Sequence, residues 1–298
     1  MSSTRELRRR IKSVKATRQI TKAMELVSTA KMRRASEATL ASRPYTMRAW
    51  QIVGDLARKP IDGLSHPLTS DREVKNVLIF AVSSDRGLAG SYASNLIKAS
   101  LQVMRERKAL GQTVRFITMG KQLERSLSKL GAEIIQSYPH SATHPVASDV
   151  QPISNTIISS FLNGSYDEVL VLYTNYFTML RQEASLLKLL PLVPSEAPEE
   201  SFAEHEMHVA DERFFIYEPS PLAVLDVVLP RLLEARLYQC LQESLASEHA
   251  SRRMAMQSAS DNASDMIDDL TLTYNGIRQG NITREIAEIT SGAAALGA

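Results

Sequence analysis

Apolar residues recur every three or four positions over two long stretches, one at each end of the chain, and this spacing predicts two long helices. The first covers residues 3–58 and contains one proline, Pro44. The second covers residues 221–274 and has no proline after Pro230. A helical pattern that continues well beyond about 25 residues is typical of coiled coils, membrane spans or repeats. Both stretches are therefore longer than an ordinary globular domain requires.

Each stretch carries a narrow apolar stripe, wide enough for one partner helix. In the first, the predicted stripe is interrupted at Arg18 and Thr21, and its apolar members are Leu7, Ile11, Val14, Ile20, Met24 and Val27. In the second, its members are Met256, Ala259, Ala263, Met266, Leu270, Tyr274 and Ile277. Because the middle of the chain joins the end of the first helix to the start of the second, a pair formed by the two helices must be antiparallel.

Between the two helices, short apolar runs alternate with amphipathic stretches, which predicts a mainly parallel sheet covered by helices. The predicted strands are 77–82, 114–119, 132–136, 168–174 and 185–192. The predicted helices are 91–110, 122–130 and 150–162. We therefore predict an α/β fold class, in which a long antiparallel coiled coil of N- and C-terminal helices accompanies a central three-layer α/β (Rossmann-like) domain.

The charge is distributed unevenly along the three predicted domains, which are 1–59, 60–212 and 213–298. Residues 1–59 contain 15 Lys and Arg against 4 Asp and Glu, whereas the rest of the chain contains 20 against 29. The segment 196–212 has seven acidic residues and no Lys or Arg, which predicts a solvated loop. The basic first helix predicts a polyanionic partner, either nucleic acid or an acidic protein. The single cysteine, Cys240, excludes an intrachain disulfide and predicts a small buried residue.

Two segments of the central part carry residues with possible chemistry. The turn at 83–95 joins a strand to a helix and contains Gly87 and Gly90, a context in which a phosphate can bind. Its spacing matches neither common phosphate-binding motif, so we favour a structural turn and keep a nucleotide-binding α/β protein with coiled-coil arms as the alternative function. His205 and His208 could ligate a metal, but they lie in the acidic segment without a further ligand in register, and we favour a solvated loop.

Three segments make the chain recognisable: 8–35 (RRRIKSVKATRQITKAMELVSTAKMRRA), 83–91 (SSDRGLAGS) and 243–296 (from ESLASEHASRRMAMQ to GAAAL). In these residues the chain closely resembles the gamma subunit of F-type ATP synthases, of the bacterial type without the chloroplast regulatory insert. The resemblance implies a non-catalytic central stalk of a rotary motor. In such a motor, ion flow, usually hydrogen ion transport, turns a ring of c subunits and drives ATP synthesis on the beta subunits; the motor also runs in reverse, with ATP hydrolysis driving ion transport.

The resemblance also implies which side chains meet partners. The expected contacts with the alpha and beta subunits are Met24, Lys31, Arg33, Arg34, Arg252, Gln279, Thr283 and Glu285. Tyr217 and Glu218 match positions near the c ring and the epsilon subunit. No catalytic, cofactor-binding or metal-binding residue is expected, and no nucleic acid. Because membrane association would be indirect, through the c ring, the resemblance implies a peripheral protein on the cytoplasmic face of the bacterial inner membrane.

Overall fold

A computed structural model describes residues 4–58, 66–140, 146–192 and 217–296, apart from the side chains at 43, 55, 57, 58 and 293–296. The predicted acidic loop at 196–212, with His205 and His208, lies outside the described residues. The elements are α1 (Thr4–Arg58), a 3₁₀ turn (Pro67–Thr69), β1 (Asn76–Val82), α2 (Tyr92–Ala109), β2 (Thr113–Met119), α3 (Lys121–Lys129), β3 (Glu133–Tyr138), α4 (Ala147–Leu162), β4 (Glu168–Tyr176), β5 (Gln182–Leu190) and α5 (Pro221–Leu296).

The chain folds as two compact units, and each of the two long helices contributes to both. Unit 1 consists of residues 1–29 and 252–298, and unit 2 of residues 30–251. Unit 1 is thus made of the first part of α1 and the last part of α5. The boundaries that we predicted near residues 59 and 212 fall outside the described residues, and the division into three domains stays a prediction.

Unit 2 is built on a five-stranded sheet with the order β3-β2-β1-β4-β5. The pairs β1–β2, β1–β4 and β2–β3 are parallel, and β5 runs antiparallel to β4 at one edge. The predicted mainly parallel α/β sheet is confirmed. Continuous apolar runs identified β1 and β4 because both of their faces are buried.

Two apolar cores lie on opposite faces of this sheet and make the three layers. Alternate residues of β1 point to different faces, so that Ile79 packs against α2 and α3 whereas Phe80 packs against α4. The second face is also covered by parts of the long helices, including Val53 and Leu56 of α1 and Leu233 of α5. The long helices are therefore partly core elements of the α/β unit as well as coiled-coil elements.

In unit 1 the two helices run antiparallel, as predicted. Arg8 of α1 donates a hydrogen bond from Nη2 to the hydroxyl of Tyr274, at 2.7 Å, and its guanidinium lies 5.6 Å from the ring centroid. Further along α1, Arg18 Nη1 donates to Ser264 Oγ at 3.4 Å. The partner number falls on α5 as the number rises on α1, which is the signature of an antiparallel pair.

The stripe predicted for the first helix is partly wrong. After the buried Leu7 and the half-buried Ile11 and Val14, the buried positions of α1 in unit 1 are Thr21, Glu25 and Ser28, and the apolar Ile20 and Val27 are 61% and 55% exposed. This series keeps alternating steps of four and three from Leu7 onward if the exposed Arg18, which contacts α5, is included. The contact positions between two paired helices repeat every 3.5 residues. On α1 this repeat continues through polar residues, whereas the predicted stripe changed to the adjacent apolar residues.

The second predicted stripe also shifts by one residue at two places. Ser260 and Ile267 are buried, each at 7% exposure, whereas Ala259 is half-buried and Met266 is 52% exposed. The helix also continues past the predicted end at 274 to Leu296, through glycines at 276, 280 and 292. A glycine inside a helix costs only about 1 kcal/mol relative to alanine, and no proline follows, so nothing in the local sequence ends the helix.

Candidate functional site on the two long helices

Beside the seam with α5, α1 carries in unit 1 an apolar stripe that is largely exposed. Ile20, Met24 and Val27 are spaced by four and three residues, so their side chains lie on one helix face. Ile20 and Val27 are mostly exposed and Met24 is half-buried. The neighbouring Leu26 is 61% exposed. The structure thus turns a polar stripe toward α5 and leaves an apolar stripe facing outward.

The basic residues predicted beside Met24 lie in the part of α1 that belongs to unit 2. Lys31 is half-buried, whereas Arg33 and Arg34 are exposed. In unit 1, Lys22 contacts the buried carboxylate of Glu25 at 2.9 Å. This ion pair keeps a negative charge in the seam neutralised while the Lys22 side chain remains 59% exposed.

The last part of α5 is exposed on every side. All side chains from 278 to 292 are exposed, and they include the predicted contact residues Gln279, Thr283 and Glu285. Thr283 follows Gln279 by four residues, so the two side chains lie on one helix face. Thr283 Oγ1 donates to the backbone carbonyl of Gln279 at 3.0 Å. The structure therefore brings two of the predicted residues together and leaves them accessible.

Arg252 differs from the other residues predicted to contact the alpha and beta subunits because it is buried, at 8% exposure. It lies at the start of the α5 segment of unit 1 and has interactions within the chain. Its burial was not expected from the sequence, since an arginine between other polar residues of a long helix usually lies on a solvated face.

Tyr217 and Glu218 immediately precede α5 in unit 2. Tyr217 is half-buried and packs against the core on the α4 face, whereas Glu218 is exposed. Ser220 then begins the helix, because its Oγ accepts a hydrogen bond from Ala223 N at 3.2 Å and Pro221 takes the first helical position. Of the two predicted residues, only Glu218 therefore exposes its charged group to solvent.

The turn at 83–95 serves the structure of unit 2, as favoured from the sequence. Ser83 Oγ accepts from Leu123 N at 3.2 Å and Asp85 Oδ1 from Lys121 N at 3.0 Å, so both bind the start of α3. Open α/β sheets bind ligands in the crevice beyond the carboxyl ends of their strands. In this chain α5 lies across that end, and Tyr92 of α2 reaches Ser244 of α5 at 2.7 Å.

The two serines of α5 at this edge, Ser244 and Ser247, were not predicted from the sequence. Both are fully buried. The only signal is their spacing of three, which also fits a solvated helix face. Among the described residues, no group of His, Cys, Asp and Glu is arranged to hold a metal ion, and no helix is long and apolar enough to cross a membrane.

Comparison with known proteins identifies the family. The sequence profile described as ATP synthase matches residues 3–296. An ATP synthase gamma chain of Roseiflexus sp. (strain RS-1) is 40% identical over 297 residues, covering 99% of both chains. Another, from Pelotomaculum thermopropionicum, is 43% identical over 296 residues, covering 99% of this chain and 100% of the relative. The chain belongs to the ATP synthase gamma chain family.

Two solved structures that resemble this family member are of mitochondrial ATP synthases. A chain of the central stalk and c-ring structure from Tetrahymena thermophila aligns with a TM-score of 0.59 and 21% identity, over 81% of this chain and 99% of that one. A chain of the Euglena gracilis OSCP/F1/c-ring structure in rotational state 3 aligns with a TM-score of 0.62 and 15% identity, over 98% and 94%. At such low identity the likeness concerns the fold alone.

Proposed function

We propose that this chain is the central rotor shaft of an F-type ATP synthase and is itself non-catalytic. It couples rotation of the c-subunit ring to ATP synthesis or hydrolysis on the beta subunits. Its partners are the alpha and beta subunits, the epsilon subunit and the c ring. In this role it lies on the cytoplasmic face of a bacterial inner membrane, attached indirectly through the c ring.

The observation that carries the proposal is the outward-facing apolar stripe of Ile20, Met24 and Val27. A helix pair that only had to hold itself together would turn its most apolar stripe inward, because burial of apolar surface stabilises pairing. Here the inward stripe contains Thr21, Glu25 and Ser28 instead. The apolar side chains are therefore available to a second protein that surrounds the helix pair, as the alpha and beta subunits would.

Charge supports the same partner. Residues 1–59 carry an excess of 11 positive charges, and Lys31, Arg33 and Arg34 continue along α1 after Met24. An acidic loop of the beta subunit would complement this surface, and charge pairs at a rim affect the rate and register of association more than its affinity. On α5 we propose that Gln279, Thr283 and Glu285 contact the alpha and beta subunits.

Arg252 is also proposed to contact the alpha and beta subunits, but its small exposed fraction limits this contact to the edge of its side chain. At the other end of the function, we propose that Tyr217 and Glu218 lie near the c ring and epsilon. The exposed carboxylate of Glu218 suits a direct contact. The half-buried Tyr217 suits a role in holding this short segment against the core of unit 2.

A rotation assay tests the shaft function directly. Cys240 is 2% exposed, and burial raises the pKa of its thiol to about 12, so it will not compete for a maleimide probe. Lys98→Cys places a reactive thiol on the exposed face of α2. With the complex immobilised through its beta subunits, we expect a probe at residue 98 to rotate when ATP is added. A probe that binds but stays fixed during ATP hydrolysis would overturn the proposal.

The ring contact at Met24 has a matched test. We expect Met24→Lys to lower the number of ions pumped per ATP hydrolysed, because a flexible cation replaces an apolar side chain within the rotating contact. Met47→Lys is the control, since Met47 is half-buried on the same helix but lies outside the proposed contact set. An equal number of ions pumped per ATP in the two variant complexes would show that Met24 does not take part in the contact with the alpha and beta subunits.

The non-catalytic assignment is tested on the purified chain alone. We expect no saturable hydrolysis of ATP, and no saturable nucleotide binding in equilibrium dialysis, because α5 lies across the carboxyl end of the sheet. Binding that is lost on substitution of Gly87 and Gly90 would favour the alternative, a nucleotide-binding α/β protein.

A further inference from the structure

The strands of unit 2 do not end at the same level, and this leaves a gap beside β4. The parallel pairing of β1 with β4 ends at Ala81 and Leu172, whereas the antiparallel pairing of β4 with β5 continues to Tyr176 and Gln182. Among the strands that the structure describes, only β5 thus pairs with β4 from residue 173 onward. Backbone groups of a buried strand cost free energy when they lack a partner.

Helix α5 fills this gap with two hydroxyl groups. Thr174 N donates to Ser244 Oγ at 3.4 Å, and Ser247 Oγ donates to Thr174 O at 3.2 Å. The two serines are one helical turn apart and therefore share a face of α5. Together they provide the acceptor and the donor that β1 would have offered to Thr174 if its pairing with β4 had continued for two more residues.

A third element joins the same hydroxyl. Tyr92, the first residue of α2, has its hydroxyl 2.7 Å from Ser244 Oγ, and Tyr92 is 2% exposed. One turn after Ser247, Ser251 Oγ hydrogen-bonds to Gln182 Oε1 at the start of β5. Consequently α5 is attached by directional bonds to α2, β4 and β5.

These bonds add a directional constraint on the rotation of α5 about its own axis to the constraint set by its buried apolar residues, such as Leu233 and Leu237. Apolar burial is non-directional. A hydrogen bond requires a donor–acceptor distance within a few tenths of an ångström of its favourable value. A rotation of α5 by one residue, about 100°, would therefore move both serines away from Thr174. Because Ser244 and Ser247 are fully buried, water cannot replace the lost partners.

We propose that Ser244 and Ser247 form a clamp that holds α5 in one rotational setting against the sheet, and that torque passes between α5 and unit 2 through this clamp. The inference rests on the shaft function proposed above. In that function the two serines are positioning residues, which contact neither nucleotide nor ion. Loss of the clamp lets α5 turn against the sheet, so that part of the rotation is dissipated within the chain.

The test compares Ser244→Ala/Ser247→Ala with Ser100→Ala in the assembled complex. Ser100 is a matched control because it is also fully buried, yet its hydroxyl bonds to Leu96 O at 2.8 Å within its own helix. We expect the double variant to hydrolyse ATP and to pump fewer ions per ATP than the control. We also expect its Thr174 amide to exchange with solvent at least about tenfold faster, because its acceptor is gone.

Equal coupling ratios in the double variant and in Ser100→Ala would overturn the clamp, even if the Thr174 amide exchanges faster. If the double variant does not assemble, Ser247→Ala, which removes a single bond to Thr174, takes its place under the same comparison. A complex that carries Lys98→Cys and keeps both serines separates the two proposals. If a probe on it does not rotate, the shaft function is wrong. If that probe rotates and the serine variants match Ser100→Ala, only the clamp is wrong.

Discussion

The two compact units bury very different side chains, although the same two helices run through both. Unit 2 encloses two apolar cores, with Phe80, Phe116 and Phe161 fully buried. The buried positions of unit 1 are mixed, and they are Leu7, Thr21, Glu25, Ser28, Arg252, Met256, Ser260, Ala263 and Ile267. About half of the buried side chains of unit 1 are thus polar. The same two helices therefore contribute to an apolar core in unit 2 and form a partly polar seam with each other in unit 1.

The difference indicates where stability comes from in each unit. Burial of a large apolar side chain contributes about 1.5–3 kcal/mol, whereas a polar residue in a coiled-coil seam specifies register at a cost in stability. Unit 2 can hold itself together by its own cores. Unit 1 has a seam that fixes pairing weakly and an apolar outer stripe, so we expect it to gain stability from the surrounding subunits.

The largest expected effect comes from opening the core of unit 2. Phe80→Ala should lower the free energy of unfolding by about 3–5 kcal/mol, because the ring is fully buried in the sheet. Chemical denaturation of the isolated chain, followed by fluorescence of Trp50, the single tryptophan, measures this loss. Leu272→Ala is the control; Leu272 is 77% exposed in unit 1 and its loss should leave the midpoint unchanged. Similar midpoints for the two variants would contradict the contrast between the units.

In unit 1 two adjacent residues separate the observed seam from the predicted one. Ile267→Ala should weaken the helix pair by about 2 kcal/mol, because Ile267 is 7% exposed. Met266→Ala should change it by less than about 0.5 kcal/mol, because Met266 is 52% exposed. Amide hydrogen exchange over residues 4–29 measures the opening of the pair. A larger effect at 266 than at 267 would restore the stripe expected from the sequence.

The buried cysteine predicts a pH dependence confined to unit 2. Burial raises the pKa of Cys240 from its ordinary 9.0 to about 12, so in this range the unfolded chain releases a proton that the folded chain retains. Its contribution to stability is complete below pH 9 and falls with rising pH by up to about 1.4 kcal/mol per unit. Denaturation midpoints between pH 8 and pH 10.5 should therefore fall more steeply for the unsubstituted chain than for Cys240→Ala. Parallel pH profiles would show that the thiol ionises equally in both states.

The smallest expected effect tests whether the polar seam costs stability. Thr21→Val should strengthen the pairing in unit 1 by about 0.5–1 kcal/mol, because Thr21 is 9% exposed and its hydroxyl only bonds the carbonyl of Arg18 in its own helix. Ile20→Thr is the matched reverse change at an exposed position, and it should leave the pairing nearly unchanged. Slower amide hydrogen exchange in Thr21→Val alone supports a position of Thr21 in the seam. The same change in exchange rate in both variants would argue against it.

Much of the fold was determined by local sequence. The apolar runs at 77–82 and 168–174 predicted β1 and β4, because strands buried on both faces have no polar alternation. The near absence of glycine and proline predicted α1 and α5, and chain order required them to be antiparallel. The residues proposed to meet the alpha and beta subunits came from the resemblance of the two terminal segments, and no pattern of spacing pointed to Gln279 or Arg252.

The tertiary structure alone decided which face each helix turns inward. Two stripes compete on α1, one polar through Thr21, Glu25 and Ser28 and one apolar through Ile20, Met24 and Val27, and hydrophobic periodicity favours the wrong one. The 3.5-residue seam is set by where α5 lies, which no local window contains. For the same reason Ser244 and Ser247 look like solvated helix positions in the sequence, and only the end of β1, more than 160 residues earlier, makes them partners of Thr174.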